Sequence, residues 1–127
     1  MNIAPRIKDA AETVVDTLMR EIKGVKAVVI ATEDGLELAA RAENTAQVAR
    51  MSAIASSLAA LGAVAGEESG LGQCENVAIG TALGHILMLQ ARHEEAGLIV
   101  SVVTGKDAVI GQALYFSKQA TLALQRA

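Results

Sequence analysis

The chain has 127 residues, a net charge of −3 and an apolar content of 52%, of which Tyr115 and Phe116 are the only aromatic members. Its length suits a single domain, residues 1–127, with one buried core. The acidic balance, the absence of a Lys/Arg cluster and the scarcity of rings argue against nucleic acid as a partner and against a pocket walled by aromatic side chains.

The amino terminus and the cysteine content predict a cytoplasmic protein without a membrane span. Residues 1–12 lack the apolar core of a secretory signal, and the single Cys74 cannot form an internal disulfide. Both features suit a reducing compartment. The longest stretch without a charge, residues 51–66, is short for a bilayer span and is mostly Ala, Ser and Gly.

The first predicted element is an amphipathic helix. Pro5 suits a first-turn position, and Gly24 suits a stop. Between them, apolar residues recur at helical spacing: Ile7, Ala11, Val14, Leu18 and Ile22. We therefore expect one face of this helix to pack on the core.

Residues 24–40 predict a β-hairpin. Asp34-Gly35 lies between two apolar runs and predicts a two-residue type I′ turn. With that turn, Ala31 of the first strand faces Leu38 of the second. The first strand is apolar on both faces, whereas the second alternates between apolar and polar residues. We therefore expect the first strand inside a sheet and the second strand at its edge.

A second helix and a three-stranded meander are predicted next. Asn44 with Gln47 resembles a capping box and opens a helix that runs to about Ala65. Three strand-like runs follow, at Glu75–Thr81, His85–Arg92 and Leu98–Thr104. The last two runs are apolar on successive residues, so we expect them inside the sheet.

The last predicted element is a helix that Thr104 and Asp107 cap and that reaches about Gln125. The order of helix, two strands, helix, three strands and helix is that of an α+β domain. Five strands span about 24 Å, whereas one helix covers about 10 Å of a face. If the first and last helices share one face, the middle helix leaves apolar sheet uncovered on the other face, which a second molecule would cover.

The middle helix and the third strand are predicted to form a homodimer interface. From Thr45 to Ala65 the helix carries one charge, Arg50, and the third strand contains no Pro or Lys that would prevent edge pairing. The predicted interface residues are Met51, Ile54, Leu58, Leu61, Val77 and Ile79. Two alternatives stay open: an Ala-rich core helix without a partner, and a strand edge shielded by the loop of residues 67–72.

These segments together resemble the Roadblock/LC7 family, whose bacterial members include MglB-like regulators of small Ras-like GTPases. The resemblance rests on the hairpin GVKAVVIATEDGLELAA, on ARMSAIASSLAALG in the middle helix and on TGKDAVIGQAL before the last helix. It implies a profilin-like α/β/α sandwich whose five-stranded antiparallel sheet has the order 2-1-5-4-3, with helices 1 and 3 on one face and helix 2 on the other. It also implies edge-to-edge dimers through the third strand, in proteins that bind small GTPases or serve as adaptor light chains and have no chemistry of their own.

No catalytic, cofactor or metal site is predicted. The sequence has neither a P-loop nor a dinucleotide-binding fingerprint. Cys74, His85 and His93 are the soft metal-ligand candidates, and the hairpin geometry puts His85 at the end of its strand opposite to the other two. Arg50 is the one charge considered for a role, either as a GTPase contact that neutralises transition-state charge or as an ordinary rim contact of the interface.

The residues and the resemblance together predict a cytoplasmic, non-enzymatic homodimer that regulates or scaffolds a small Ras-like GTPase by binding it. The alternative is a structural adaptor that leaves GTPase kinetics unchanged. A small-ligand sensor or enzyme of similar layering is disfavoured, because aromatic pocket walls and convergent polar residues are missing.

Overall fold

The computed structural model describes residues 3–127, which form three helices and one five-stranded antiparallel sheet. In chain order the elements are α1 (Pro5–Glu21), β1 (Val25–Thr32), β2 (Glu37–Arg41), α2 (Thr45–Glu68), β3 (Asn76–Thr81), β4 (Gly84–Arg92), β5 (Gly97–Gly105) and α3 (Ile110–Gln125). The strand order is β2-β1-β5-β4-β3, which confirms the predicted sheet.

Helices cover both faces of the sheet, in the predicted layering. α1 and α3 share one core cluster with residues of β1, β2, β4 and β5. α2 lies on the opposite face, where Val48 and Met51 pack on Val29, and where Ala55 packs with Ile99. β1 and β5 are buried almost throughout because helices lie above and below them, as their continuous apolar runs indicate.

The turn between β1 and β2 is not the predicted type I′ turn. Gly35 has a positive φ of 93°, whereas Asp34 does not, and a type I′ turn needs positive values at both positions. Gly35 N–H donates to Thr32 O at 3.0 Å, and Thr32 N–H donates to Leu36 O at 2.8 Å. The Thr32 hydroxyl also donates to Asp34 Oδ1, a bond that holds the pKa of Asp34 below its ordinary value of 3.8.

This turn shifts the register of the hairpin next to it. Ala31 pairs with Glu37 and not with Leu38, although the predicted pairing holds farther from the turn. The irregularity lets Leu38 and Ala39, which are consecutive, both join the core on the α1 side. A two-residue turn would have directed them to opposite faces of the sheet.

α2 ends about three residues later than predicted, at Glu68. Gly70 N–H donates to Glu67 O at 3.1 Å, and Leu71 N–H donates to Gly66 O at 3.0 Å. These two bonds form a Schellman motif, for which Gly70 supplies the left-handed conformation with a φ of 71°. Gly66 therefore lies inside the helix, and Gly70 is the stop.

The start of α3 corrects another prediction. The residue before the helix, Val109, makes no side-chain cap bond, so Thr104 and Asp107 do not cap α3. Asp107 instead lies against Gly24, where an added Cβ would be 2.7 Å from Asp107 Oδ1. Gly105 N–H donates to Gly24 O at 2.9 Å and brings the two segments together.

Ser117 is a buried polar residue of α3 whose hydroxyl has no hydrogen-bond partner among residues 3–127. We expect Ser117→Ala to raise the free energy of unfolding by about 1 kcal/mol, because it removes an unsatisfied buried oxygen and favours the helix. Denaturant unfolding followed by circular dichroism measures the change. Ser57→Ala is the control, since that exposed hydroxyl bonds to Ala53 O; an equal gain in both variants would contradict the explanation.

Candidate protein-interaction surface

The carboxyl-terminal part of α2 leaves apolar side chains exposed. The buried residues of α2 end at Ala59, and every later residue of the helix is half-buried or exposed. Ile54 is 48% exposed and Leu61 is 65% exposed. Ile54, Leu58 and Leu61 follow one another at helical spacing on the side of α2 that faces β3, so they form one stripe.

The junction between α2 and the segment leading into β3 is packed through glycines. A Cβ at Gly62 would lie 2.7 Å from Cys74 Sγ, and a Cβ at Gly66 would lie 2.1 Å from Gly72 O. Backbone can approach this closely only where a side chain is missing. The loop therefore lies against the end of α2 and presents Leu71 to solvent, with 85% of its surface exposed.

A groove of about 510 Å³ lies between α2 and β3. Leu58, Leu61, Leu71 and Val77 are among the residues that line it, together with small residues of α2. Among the residues that the structure describes, no charged side chain contributes to this lining. An apolar groove without charges fits the side chains of another protein better than a polar ligand.

β3 forms the far edge of the sheet. It pairs with β4 on one side, and within residues 3–127 no strand pairs with its other side. Val77 packs beside Ala55 and Met88 on the α2 side of the sheet, and Ile79 pairs with Ile86 on that same side. The backbone N–H groups of residues 69–71 donate to carbonyl oxygens of α2, so the loop is hydrogen-bonded to the helix and not to the edge of β3.

Of the six predicted interface residues, Leu58, Leu61 and Val77 line one groove. Ile54 lies one turn before Leu58 in α2, and Ile79 lies on the same face of β3 as Val77. The sixth, Met51, is only 8% exposed and packs into the chain's own core. Two exposed neighbours, Val64 and Leu71, were not predicted as interface residues. For Leu71 a signal existed, because a large apolar residue between two glycines in a loop has no core to enter.

We call the set Ile54, Leu58, Leu61, Val64, Leu71, Val77 and Ile79 the α2–β3 surface. Arg50 is exposed in the second turn of α2. The ion pairs formed within residues 3–127 are Arg6–Glu95 and Arg41–Asp16, so the Arg50 guanidinium is available to another molecule.

The soft metal-ligand candidates lie apart. His85 follows Gly84 at the start of β4, whereas His93 follows the last residue of that strand, where its Nε2 is 2.6 Å from Ala127 O and its Nδ1 accepts from Glu95 N–H. Cys74 lies against Gly62 of α2, and its thiol contacts Asn76 O. Within the part of the chain that the structure describes, no group of three His, Cys, Asp or Glu side chains could hold a metal ion.

α2 is the one helix among residues 3–127 with the length and apolar content that a membrane span needs. It packs on the sheet through Val48, Ser52, Ala55 and Ala59. A mostly buried core helix would meet the same criterion of length and composition, whereas α2 is only partly covered by the sheet. We therefore interpret the exposed apolar side of α2 as a surface for protein binding.

Comparison with protein families identifies residues 11–101 as a Roadblock/LC7 domain. No curated protein matches the sequence. Among solved structures, MglB of Myxococcus xanthus superposes with a TM-score of 0.83 over 99% of this chain and 92% of that chain, at 12% identity. The gliding protein MglB of Thermus thermophilus superposes with a TM-score of 0.84 over 98% of this chain and 92% of that one, at 17% identity.

A Roadblock/LC7 domain from Streptomyces avermitilis is also similar, with a TM-score of 0.82, 19% identity, and coverage of 91% of this chain and 94% of that chain. These identities are low, so the superpositions establish that the fold is shared. The match spans all layers of the sandwich, including α2 and the β3 edge.

Proposed function

Because the chain belongs to the Roadblock/LC7 domain family, we propose that it is a non-catalytic homodimer that regulates or scaffolds a small Ras-like GTPase. The observation that carries the proposal is the α2–β3 surface, where exposed apolar side chains border an unpaired strand edge. Soluble monomers rarely leave such a surface uncovered.

In the proposed dimer the two β3 strands pair about a twofold axis and the two sheets become one. The α2 helices then lie side by side over the seam, so that the stripe of Ile54, Leu58 and Leu61 meets its copy. Val77 and Ile79 lie beneath the helices on the same side of the sheet. Met51 is omitted from this interface because its own core already covers it.

The dimer is proposed to act by binding the switch segments of a GTPase and stabilising one of their arrangements. The α2–β3 surface contains no side chain that could act as a nucleophile, acid or base, so we assign it no chemical step. Arg50 is proposed as a rim contact for the GTPase. The half-buried single Cys74 agrees with a cytoplasmic location.

The test uses small Ras-like GTPases purified from the organism that encodes the chain. GTP hydrolysis in a single turnover and release of a fluorescent GDP analogue are measured with and without the protein. We expect one of the two rates to change by about tenfold or more. A complex that leaves both rates unchanged would support the adaptor alternative, and no complex with any of these GTPases would contradict both functions.

Arg50→Ala separates two roles of this residue. If Arg50 is a rim contact on an exposed surface, its truncation should weaken the complex by about tenfold or less and leave the stimulated rate at saturation unchanged. A collapse of the saturated hydrolysis rate would instead assign Arg50 to the reaction itself.

A further inference from the structure

A second surface, on the α3 side of the sheet, is also not covered by a helix. The core cluster under α1 and α3 includes residues of β1, β2, β4 and β5 but none of β3. α3 lies over β4 and in part over β5, and β3 is not among the elements that it contacts. Two helices cannot span five strands, so the α3 side of β3 is bare.

α3 forms the wall of this bare strip. Lys118 and Leu122 line a cavity of about 380 Å³ together with Asn76 of β3, so this side of α3 faces the strand. Tyr115 precedes them by one turn on the same side and is 58% exposed. The carboxyl-terminal end of α3 is held in place by Gln125, whose Oε1 accepts from Arg92 N–H at 3.2 Å.

The floor of the strip is flat and uncharged. Because side chains alternate along a strand, Asn76, Ala78 and Gly80 face the α3 side when Val77 and Ile79 face α2. Ala78 and Gly80 are exposed, and neither carries a side chain that would keep another backbone away. Apolar and aromatic groups on the wall beside a smooth floor form a surface on which a helix can lie.

The proposed dimer sets the width of this surface. With the two β3 strands paired, α3 and its copy lie on either side of a floor made of both strands. At about 4.8 Å between strands, the two helix axes are about 17 Å apart. Packed helices lie about 8 to 10 Å from one another, so the space between the two α3 helices holds one further helix.

We infer that this trough binds one amphipathic helix of a partner protein, with acidic residues on both sides of its apolar stripe. The trough is defined by Asn76, Ala78, Gly80, Tyr115, Lys118 and Leu122 of both protomers. Its charge selects the partner, because Lys118 and Arg92 line each cavity against one acidic residue, Glu75, so that the net charge of the lining is positive. The inference rests on the proposed homodimer, since a single chain supplies one wall only.

The experiment uses the full chain and two fluorescein-labelled synthetic peptides of about 16 residues, the length of α3. Both peptides have leucines at helical spacing; one carries glutamates beside the leucines, and the other carries lysines. We expect the glutamate peptide to bind about tenfold more tightly in fluorescence anisotropy, to gain helical circular dichroism, and to saturate at one peptide per two chains.

Three variants identify the surface. Tyr115→Glu should lower the affinity for the glutamate peptide by about tenfold, because it replaces an apolar contact by a charge of the same sign as the glutamates of the peptide. Lys118→Glu should invert the preference between the two peptides. Leu36→Glu, a substitution at a similarly exposed apolar residue of the β1–β2 turn, is the control and should leave both affinities unchanged.

The inference fails if neither peptide binds, if both bind equally, or if Tyr115→Glu has no effect. It also fails if one peptide binds per chain or if the bound peptide stays extended, since either result describes another site. Sedimentation and the GTPase rates are measured without the peptides. A chain that dimerises and acts on a GTPase but ignores the peptides would therefore keep the proposed function and lose this inference.

Discussion

Ile54→Lys and Leu61→Lys are each expected to convert the proposed homodimer into a monomer. Both side chains are substantially exposed in the single chain, so a lysine can be accommodated there without disturbing the fold. In the dimer the same lysine would be buried at the helix seam without a partner, at a cost of about 3 to 5 kcal/mol. The dimer dissociation constant should therefore rise by about two to four orders of magnitude.

Sedimentation velocity measures this change as a shift from twice the chain mass of 13.1 kDa to that mass. Leu36→Lys is the matched control, because Leu36 is 47% exposed, close to the value for Ile54, but lies in the β1–β2 turn. Circular dichroism should be the same for all three variants. If Ile54→Lys and Leu61→Lys both sediment as the unmodified protein does, the α2–β3 surface is not the dimer interface.

Gly66→Ala and Gly111→Ala are expected to change stability in opposite directions, although both are glycine-to-alanine changes inside helices. At Gly66 the new Cβ would lie 2.1 Å from Gly72 O, a backbone atom that can move only if the loop moves. We expect a loss of about 1 to 3 kcal/mol in the free energy of unfolding. A Cβ added at Gly111 would meet no atom within 4 Å outside its own helical turn, so alanine should raise the free energy of unfolding by about 0.5 kcal/mol through its helix propensity.

Thermal and denaturant unfolding of the two variants measure both changes. The Gly66→Ala variant should also dimerise more weakly, because the displaced loop carries Leu71 away from the α2–β3 surface. A Gly66→Ala variant as stable as Gly111→Ala would mean that the close packing of α2 on the loop contributes little to the fold.

The strand order could be predicted from the sequence because burial on two faces leaves a direct mark on composition. Val28, Val29 and Ile30 of β1 and Leu98 to Val100 of β5 are apolar on successive residues, as a strand between two helical layers requires. The start of α2 could also be predicted, because its cap is a contact between residues close in sequence: Asn44 Oδ1 accepts from Ala46 N–H at 2.9 Å.

The predictions of the β1–β2 turn and of the α3 cap were wrong, the first because two local signals competed and the second because the decisive contact joins residues distant in sequence. Asp34-Gly35 fits a type I′ turn, but the hydrogen bonds of the Thr32 hydroxyl to Asp34 Oδ1 and from Leu36 N–H favour a longer loop. Asp107 has the residue type of a cap, yet its position beside Gly24 follows from the pairing of β1 with β5. Neither outcome could be read from spacing alone.

The sequence by itself determined the strand order and the scarcity of charge in α2, which carries Arg50 alone between Thr45 and Ala65, because both depend only on the residues of each element. The placement of the helices on the two faces was implied by the family resemblance. Only the tertiary structure decided which apolar residues are left for a partner. Met51 and Ile54 belong to the same helix and look equally suited to an interface, but Met51 packs on the sheet while Ile54 faces solvent. Exposure depends on where α2 crosses β3 and on the loop that Gly62 and Gly66 allow to approach, and those contacts join residues far apart in the chain.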